Sequence, residues 1–185
     1  MNVYDFDKTI YDGDSTTDFI FWCIRKKPTI AVALLPGVVA FGGYAAKICG
    51  KTYFKEKFYR FLNKLPDAKK YVEEFWDEHI DNIQDWYLLR QKEDDVIISA
   101  SPEFLVVPAC ERLKIKHIMA SRVDIDTGMY LGINCHGEEK VRRFKKAFPE
   151  GTIDEFYSDS FSDAPLANLA RRAYLVKGEN LFPWG

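Results

Sequence analysis

The chain is poor in several things. Its four cysteines, Cys23, Cys49, Cys110 and Cys135, stand far apart with no C-x-x-C pair. This excludes a disulfide scaffold and reads as reduced, mostly buried thiols of a cytosolic protein. The opening residues, Met1-Asn2-Val3-Tyr4-Asp5, hold neither a basic nor an apolar stretch, so no secretory leader is expected there. No internal repeat, low-complexity tract or Gly/Ser linker breaks the 185 residues. Net charge is only −2 while apolar residues reach 47 %, which excludes disorder as the dominant state. The length suits one domain, or one domain with a sizeable insertion.

Acids are scarce in one region. Between Phe19 and Lys64 nine basic residues face a single acid, Glu56, although the whole chain is slightly acidic. Such a block implies an anionic partner. Nucleic acid is not implied, because no aromatic-rich basic face lies outside the block. Inside it, residues 28–46 carry no charge at all. As one helix those 19 residues would be about 28 Å long, close to the bilayer core of about 30 Å.

Periodicity then orders the chain. Val3-Tyr4-Asp5-Phe6 reads as a short buried strand. Asp14 or Ser15 reads as the N-cap of a helix carrying Phe19, Ile20, Cys23 and Ile24. Apolar residues at helical spacing, Phe54, Phe58, Phe61, Leu62 and then Val72, Phe75, Trp76, Ile80, make residues 13–90 helical. Strands are expected at Val96-Ile98, His117-Ala120, Ile153-Tyr157 and Ala173-Val176. Helices are expected from Pro102 to about Lys114, from Glu138 to Phe148 and from Pro165 to Arg172. Val123-Asp126 and Met129-Ile133, flanking Thr127-Gly128, read as a hairpin. The alternation predicts an α/β fold, a Rossmann-like parallel sheet with helices on both faces. Its core is 1–12 plus 91–185, and 13–90 is an inserted helical unit.

Parallel sheets bind ligands at the C-terminal ends of their strands, and the polar residues gather there. Asp5 and Asp7 end the first strand, with Thr9 just beyond. Ser99 and Ser101 end the second, Asp159 and Asp163 follow the Ile153-Tyr157 strand, and Lys140 sits in the first turn of its helix. Four acids at one edge repel each other unless a cation joins them, and oxygen-only donors suit Mg²⁺.

These residues resemble the four motifs of the haloacid dehalogenase superfamily. Asp5-Phe6-Asp7-Lys8-Thr9 looks like its D-x-D-x-T motif, and Ser99-Ala100-Ser101 like its second. Lys140 looks like the third, and Asp159-Ser160-Phe161-Ser162-Asp163 like the acidic fourth. The insertion resembles the helical C1 cap of the phosphoserine-phosphatase-like branch. Within that branch the chain is most similar to bacterial phosphatidylglycerophosphate phosphatases. The supporting features are the uncharged stretch, Gly137-Glu138-Glu139-Lys140-Val141 and Tyr157-Ser158-Asp159-Ser160.

The resemblance implies a phosphomonoester hydrolase. Asp5 is then the nucleophile and Asp7 the acid and base. Asp5, Asp7 and Asp159 hold Mg²⁺, while Thr9, Ser99, Ala100 and Lys140 bind the phosphoryl group. Asp163 orients Lys140 or a metal-bound water from behind. Asp14 either caps its helix or touches substrate. The expected substrate is a lipid phosphate such as phosphatidylglycerophosphate, the alternative a small soluble phosphorylated metabolite. A single membrane span is excluded, since it would put motif one and motifs two to four on opposite sides. Residues 28–46 are therefore either a helix pair buried in the insertion or a hairpin resting on an anionic membrane surface, peripheral to a cytoplasmic enzyme.

Overall fold

A computed structural model describes residues 1–48 and 50–185, with Lys51 described in its backbone only. Cys49 lies outside the described residues. Six strands form one sheet among those residues, β1 (Asn2–Tyr4), β2 (Val96–Pro102), β3 (His117–Ser121), β4 (Ile153–Ser158), β5 (Ala170–Lys177) and β6 (Asn180–Pro183). Their order is β3-β2-β1-β4-β5-β6, parallel from β3 through β5, with β6 antiparallel at the edge. Between β1 and β2 run α1 (Ser15–Lys26), α2 (Ile30–Ala33), α3 (Leu35–Ala45), α4 (Lys51–Tyr59), α5 (Ala68–His79) and α6 (Asp85–Leu88). The later crossovers carry α7 (Glu103–Arg112), α8 (Glu138–Ala147) and α9 (Ala164–Ala167).

Period-two alternation decides which face each strand residue buries. Val3, Val96, Ile98 and Phe156 pack with Phe144 of α8 and Leu166 of α9. Tyr4, Ile97 and Tyr157 point the other way, into a larger core shared with α7 and the inserted helices. Trp76 of α5 ties the insertion to this core, its indole N–H donating to the Leu105 carbonyl at 2.8 Å. Cys23, Cys110 and Cys135 are free and buried, and burial pushes the Cys135 thiol up to about 11, as expected for inert thiols.

Three expectations need correction. The helix expected from Pro165 to Arg172 stops at Ala167, because Arg172 pairs with Glu155 in the β4–β5 ladder and by a 2.7 Å ion pair. The expected hairpin reduces to one bridge, Val123–Tyr130. The Asp124 side chain closes the turn by accepting from Thr127 N at 2.7 Å and Asp126 N at 3.1 Å. Strand β6 was not expected at all. It returns through Gly178, whose φ of 57° suits the tight turn joining Lys177 to Asn180.

The uncharged stretch is buried only in part, through Ile30, Leu34, Gly37 and Ala40. It breaks at Leu34, and in α3 only Gly37 and Ala40 are buried. Gly37 lets α3 approach α4 closely, since a Cβ there would lie 2.7 Å from the Phe58 ring. Val32, Leu35, Val38, Val39 and Phe41 are exposed, Val39 by 77 %. No described helix is long and apolar enough to cross a membrane.

At the opposite end of the sheet from the acids, Asp95 is fully buried. Its Oδ2 accepts from Lys92 N at 2.8 Å, while Oδ1 has no partner among the described residues. Burial pushes this carboxyl up to about 6. The folded protein therefore holds the proton more tightly than the unfolded chain, whose aspartates titrate near about 4. Stability contributed by the protonated form is lost as pH rises from about 4 through about 6. Asp95→Asn keeps an acceptor for Lys92 N and removes the buried charge. Its Tm should exceed that of wild type at pH 8 and converge with it near pH 4. Parallel Tm-versus-pH curves for the two proteins would contradict this.

Candidate active site

The strand register brings the motif residues to one edge. Tyr4 pairs with Ile97 on one side and Tyr157 on the other, so Asp5, Ser99 and Asp159 emerge at neighbouring strand ends. Asp5 N donates to the Tyr157 carbonyl at 2.9 Å, fixing the point where β1 stops. Beyond it the chain turns sharply, and Lys8 takes the left-handed conformation at φ 55°. Side chains rarely adopt that region, and the cost is of order 1–2 kcal/mol.

Lys140 is the centre of the charge arrangement. Its ammonium lies 2.7 Å from Asp5 Oδ1 and 2.7 Å from Asp163 Oδ2, in a fully buried position. Burial opposes its charge, but Asp5 and Asp163 outweigh burial and hold the ammonium above its ordinary range. Ser158 Oγ donates to the same Asp163 oxygen at 2.8 Å. Asp163 is thus in direct contact with Lys140 and is itself held by Ser158. Burial pushes the Asp5 carboxyl up, with Lys140 pulling against it.

Asp7 is held at both oxygens. Ser15 N donates to Oδ1 at 2.7 Å and the Ser101 hydroxyl donates to Oδ2. Burial, then the nearby Asp14 charge, raises its carboxyl.

Two expected phosphate ligands also brace the local backbone. Thr9 is fully buried and its Oγ1 accepts from Asp159 N at 3.0 Å, so it positions the Asp159 loop. Ser99 Oγ accepts from Ser101 N at 3.0 Å, bracing the turn that aims Ser101 at Asp7. Ala100 presents its carbonyl to Ser121 Oγ at 3.0 Å and to Lys55 Nζ at 3.3 Å. Asp14 has two placements in the fold. It caps α1 by accepting from Thr17 N at 2.9 Å, and it lines the cavity beside Asp7.

That cavity, of about 520 Å³, opens between the sheet edge and the inserted helices. Asp7, Asp14, Thr16, Ala100 and Ser101 form its floor, and Ile20, Phe41, Phe54, Phe58 and Tyr59 its walls. Lys55 enters from α4. The sequence reading missed Lys55, Ser15 and Ser158.

Among the described residues no three His, Cys, Asp or Glu side chains form a metal cage. Asp5 and Asp159 bring two carboxylates to neighbouring strand ends. Few protein oxygens and no nitrogen or sulfur suit Mg²⁺, which keeps several waters. Burial raises the Asp159 carboxyl against the pull of Lys8, a cost that a bound cation would offset.

Comparison with known proteins covers most of the chain. Residues 3–168 match the haloacid dehalogenase-like hydrolase family. A probable phosphatase of Mycobacterium tuberculosis (strain ATCC 25618 / H37Rv) is 36 % identical over 90 residues. That match covers 45 % of this chain and 31 % of the relative, so the chain spans well under two thirds of that protein. A protein of unknown function from Bordetella pertussis superposes with a TM-score of 0.71 at 18 % identity, covering 94 % of this chain and 87 % of that one. A phosphoserine phosphohydrolase-like protein from Francisella tularensis gives 0.55 at 18 % identity over 94 % and 86 %. At these identities the superpositions speak for the fold.

Proposed function

The chain belongs to the haloacid dehalogenase-like hydrolases, and on that premise we propose that it hydrolyses phosphomonoesters through a covalent aspartyl phosphate on Asp5. The observation that carries this is the pairing of two differently held aspartates. Asp5 leans on a buried ammonium, while Asp7, two residues on, is held by Ser101 and Ser15 N in a raised-pKa setting. A binding module would not need the second acid.

In the proposed reaction an Asp5 oxygen attacks phosphorus and the ester P–O bond breaks. The electron pair leaves with the alkoxide, which takes the Asp7 proton. Asp7 then removes a proton from water as that water attacks the aspartyl phosphate, releasing phosphate and restoring Asp5. Lys140 balances the negative charge on the transferring oxygens. Asp5, Asp159 and the Asp7 carbonyl would hold Mg²⁺, which when bound shields the phosphate's charge from Asp5.

The proposed substrate is a lipid phosphate such as phosphatidylglycerophosphate, met at a membrane surface. The aromatic cavity wall and the exposed α3 support it. The alternative, a small soluble phosphomonoester, draws support from the cavity volume, which can take a metabolite whole. Metal removal tests the chemistry in either case. Excess EDTA should abolish turnover of p-nitrophenyl phosphate and Mg²⁺ should restore it. Asp159→Ala should need at least about tenfold more Mg²⁺ for half-activity. Full activity in EDTA would overturn the metal assignment.

A further inference from the structure

We propose that Ser101 is a positioning residue for the hydrolysis, its hydroxyl holding the Asp7 carboxyl in line first with the leaving oxygen and then with the attacking water. This rests on the phosphatase reading above and gives Ser101 a role that the motif resemblance leaves open.

The strand that delivers Ser101 leaves its ladder to do so. Ile98 pairs with Met119 and Pro102 with Ser121, so β2 carries two more residues than β3 over the same span. Such a bulge bends the strand and re-aims its side chains. Three restraints hold the displaced segment. Ser99 Oγ accepts from Ser101 N at 3.0 Å, and Ser121 Oγ donates to the Ala100 carbonyl at 3.0 Å. Pro102 then confines the residue before it to extended backbone. Ser99 and Ser101 are both buried. The direction of the Ser101 side chain is therefore set by its backbone before the hydroxyl makes any contact.

Asp7 is gripped from two sides, and the two grips differ in kind. Ser15 N, at the start of α1, donates to Oδ1 at 2.7 Å. A backbone N–H can only donate, so this oxygen stays an acceptor throughout the reaction. The proton that Asp7 gives and takes therefore belongs on Oδ2, the oxygen that the Ser101 hydroxyl meets. A hydroxyl can donate to a carboxylate and accept from a carboxylic acid, so Ser101 keeps a hydrogen bond to Oδ2 in both states. An ammonium or a backbone amide in its place would serve the carboxylate alone. Thr16 Oγ1 lies 3.5 Å from Ser101 Oγ and gives the serine a second hydroxyl neighbour. Asp7, Thr16 and Ser101 line the same cavity, so this arrangement faces the space open to an ester.

Two aryl esters of similar shape, p-nitrophenyl phosphate and phenyl phosphate, test the role in the presence of Mg²⁺. p-Nitrophenolate leaves without a proton, whereas phenolate, the stronger base, needs one as it departs. Ser101→Ala should lower kcat for both esters by about 10- to 100-fold, with KM within about threefold of wild type. The two chemical steps should then separate. With p-nitrophenyl phosphate, rapid mixing should show a burst of p-nitrophenolate approaching about one equivalent per enzyme, at a rate within about threefold of wild type. Slow turnover should follow, because breakdown of the aspartyl phosphate still needs Asp7 as base. With phenyl phosphate the burst should be lost. Ser101→Thr, which keeps the hydroxyl, should recover most of the turnover. Unchanged turnover in Ser101→Ala overturns the proposal, and so does an equal fall in burst and turnover, the mark of a purely structural role. Either result leaves the phosphatase reading standing. Failure of wild type to hydrolyse either ester overturns both.

Discussion

Asp5→Asn should yield a folded protein whose phosphomonoester turnover has fallen by about 10³-fold or more. The amide is a poor nucleophile and a poor ligand for a hard cation. The substitution is nearly isosteric, and Lys140 keeps its 2.7 Å bond to Asp163, so no buried charge is stranded. Stability should move the other way from activity. Burial holds the Asp5 carboxyl above its unfolded value, so its ionised form works against folding once pH exceeds that folded value. At pH 8 the Tm of Asp5→Asn should be no lower than that of wild type, the pattern of a site shaped for chemistry rather than stability. Turnover at wild-type rate in the purified variant would remove Asp5 from the role of nucleophile. A large fall in Tm would instead assign it to the scaffold.

The second large effect is expected at a membrane surface. Wild type should pellet with phosphatidylglycerol vesicles at low salt, less with neutral vesicles, and less again as salt rises. The surface responsible is the outer side of α3 and α4. Val39 and Ile48 stand 77 % and 82 % exposed, and Lys57 and Arg60 border the same groove. The basic pair that looked most suited from sequence, Lys26 and Lys27, is engaged elsewhere. Lys26 bonds Glu78 at 2.8 Å and Lys27 donates to the Lys64 carbonyl at 2.8 Å. The informative variants are therefore Val39→Asp and the double change Lys57→Glu/Arg60→Glu. At about 1 kcal/mol per basic residue, the double variant should lose about tenfold or more in partitioning. Wild type remaining in the supernatant at low salt would favour the soluble-metabolite alternative.

How far the sequence carries depends on which forces decide each element. The parallel strands are read easily because burial on both faces makes short β-branched runs such as Val96-Ile97-Ile98. The polar edge follows from where those runs end, so that Asp5, Asp7, Lys140, Asp159 and Asp163 gather near one edge is legible in the sequence. The roles of Thr9 and Ser99 are not, because a hydroxyl at a strand end can face a ligand or brace a turn, and only tertiary contacts decide. Arg171 and Arg172 look helical by propensity, yet ladder pairing with β4 overrides it. Lys55 is hidden for a different reason. In a run of basic residues each lysine looks like a solvated charge, and only the seating of α4 turns one of them inward.

The shortness and position of β1 govern how this molecule comes to exist. Three residues at the middle of the sheet pair with Val96 on one side and Phe156 on the other. Both closures span long loops, whose entropy must be offset before either ladder gains anything. The inserted helices can associate through local contacts while β1 still waits for its partners. During synthesis β1 precedes both of its partner strands, so Val3 and Tyr4 stay unpaired until residues 96 and 156 have followed. Because Asp5 sits at the tip of that strand and contacts Lys140, more than a hundred residues on, the candidate site cannot assemble before these distant segments have met.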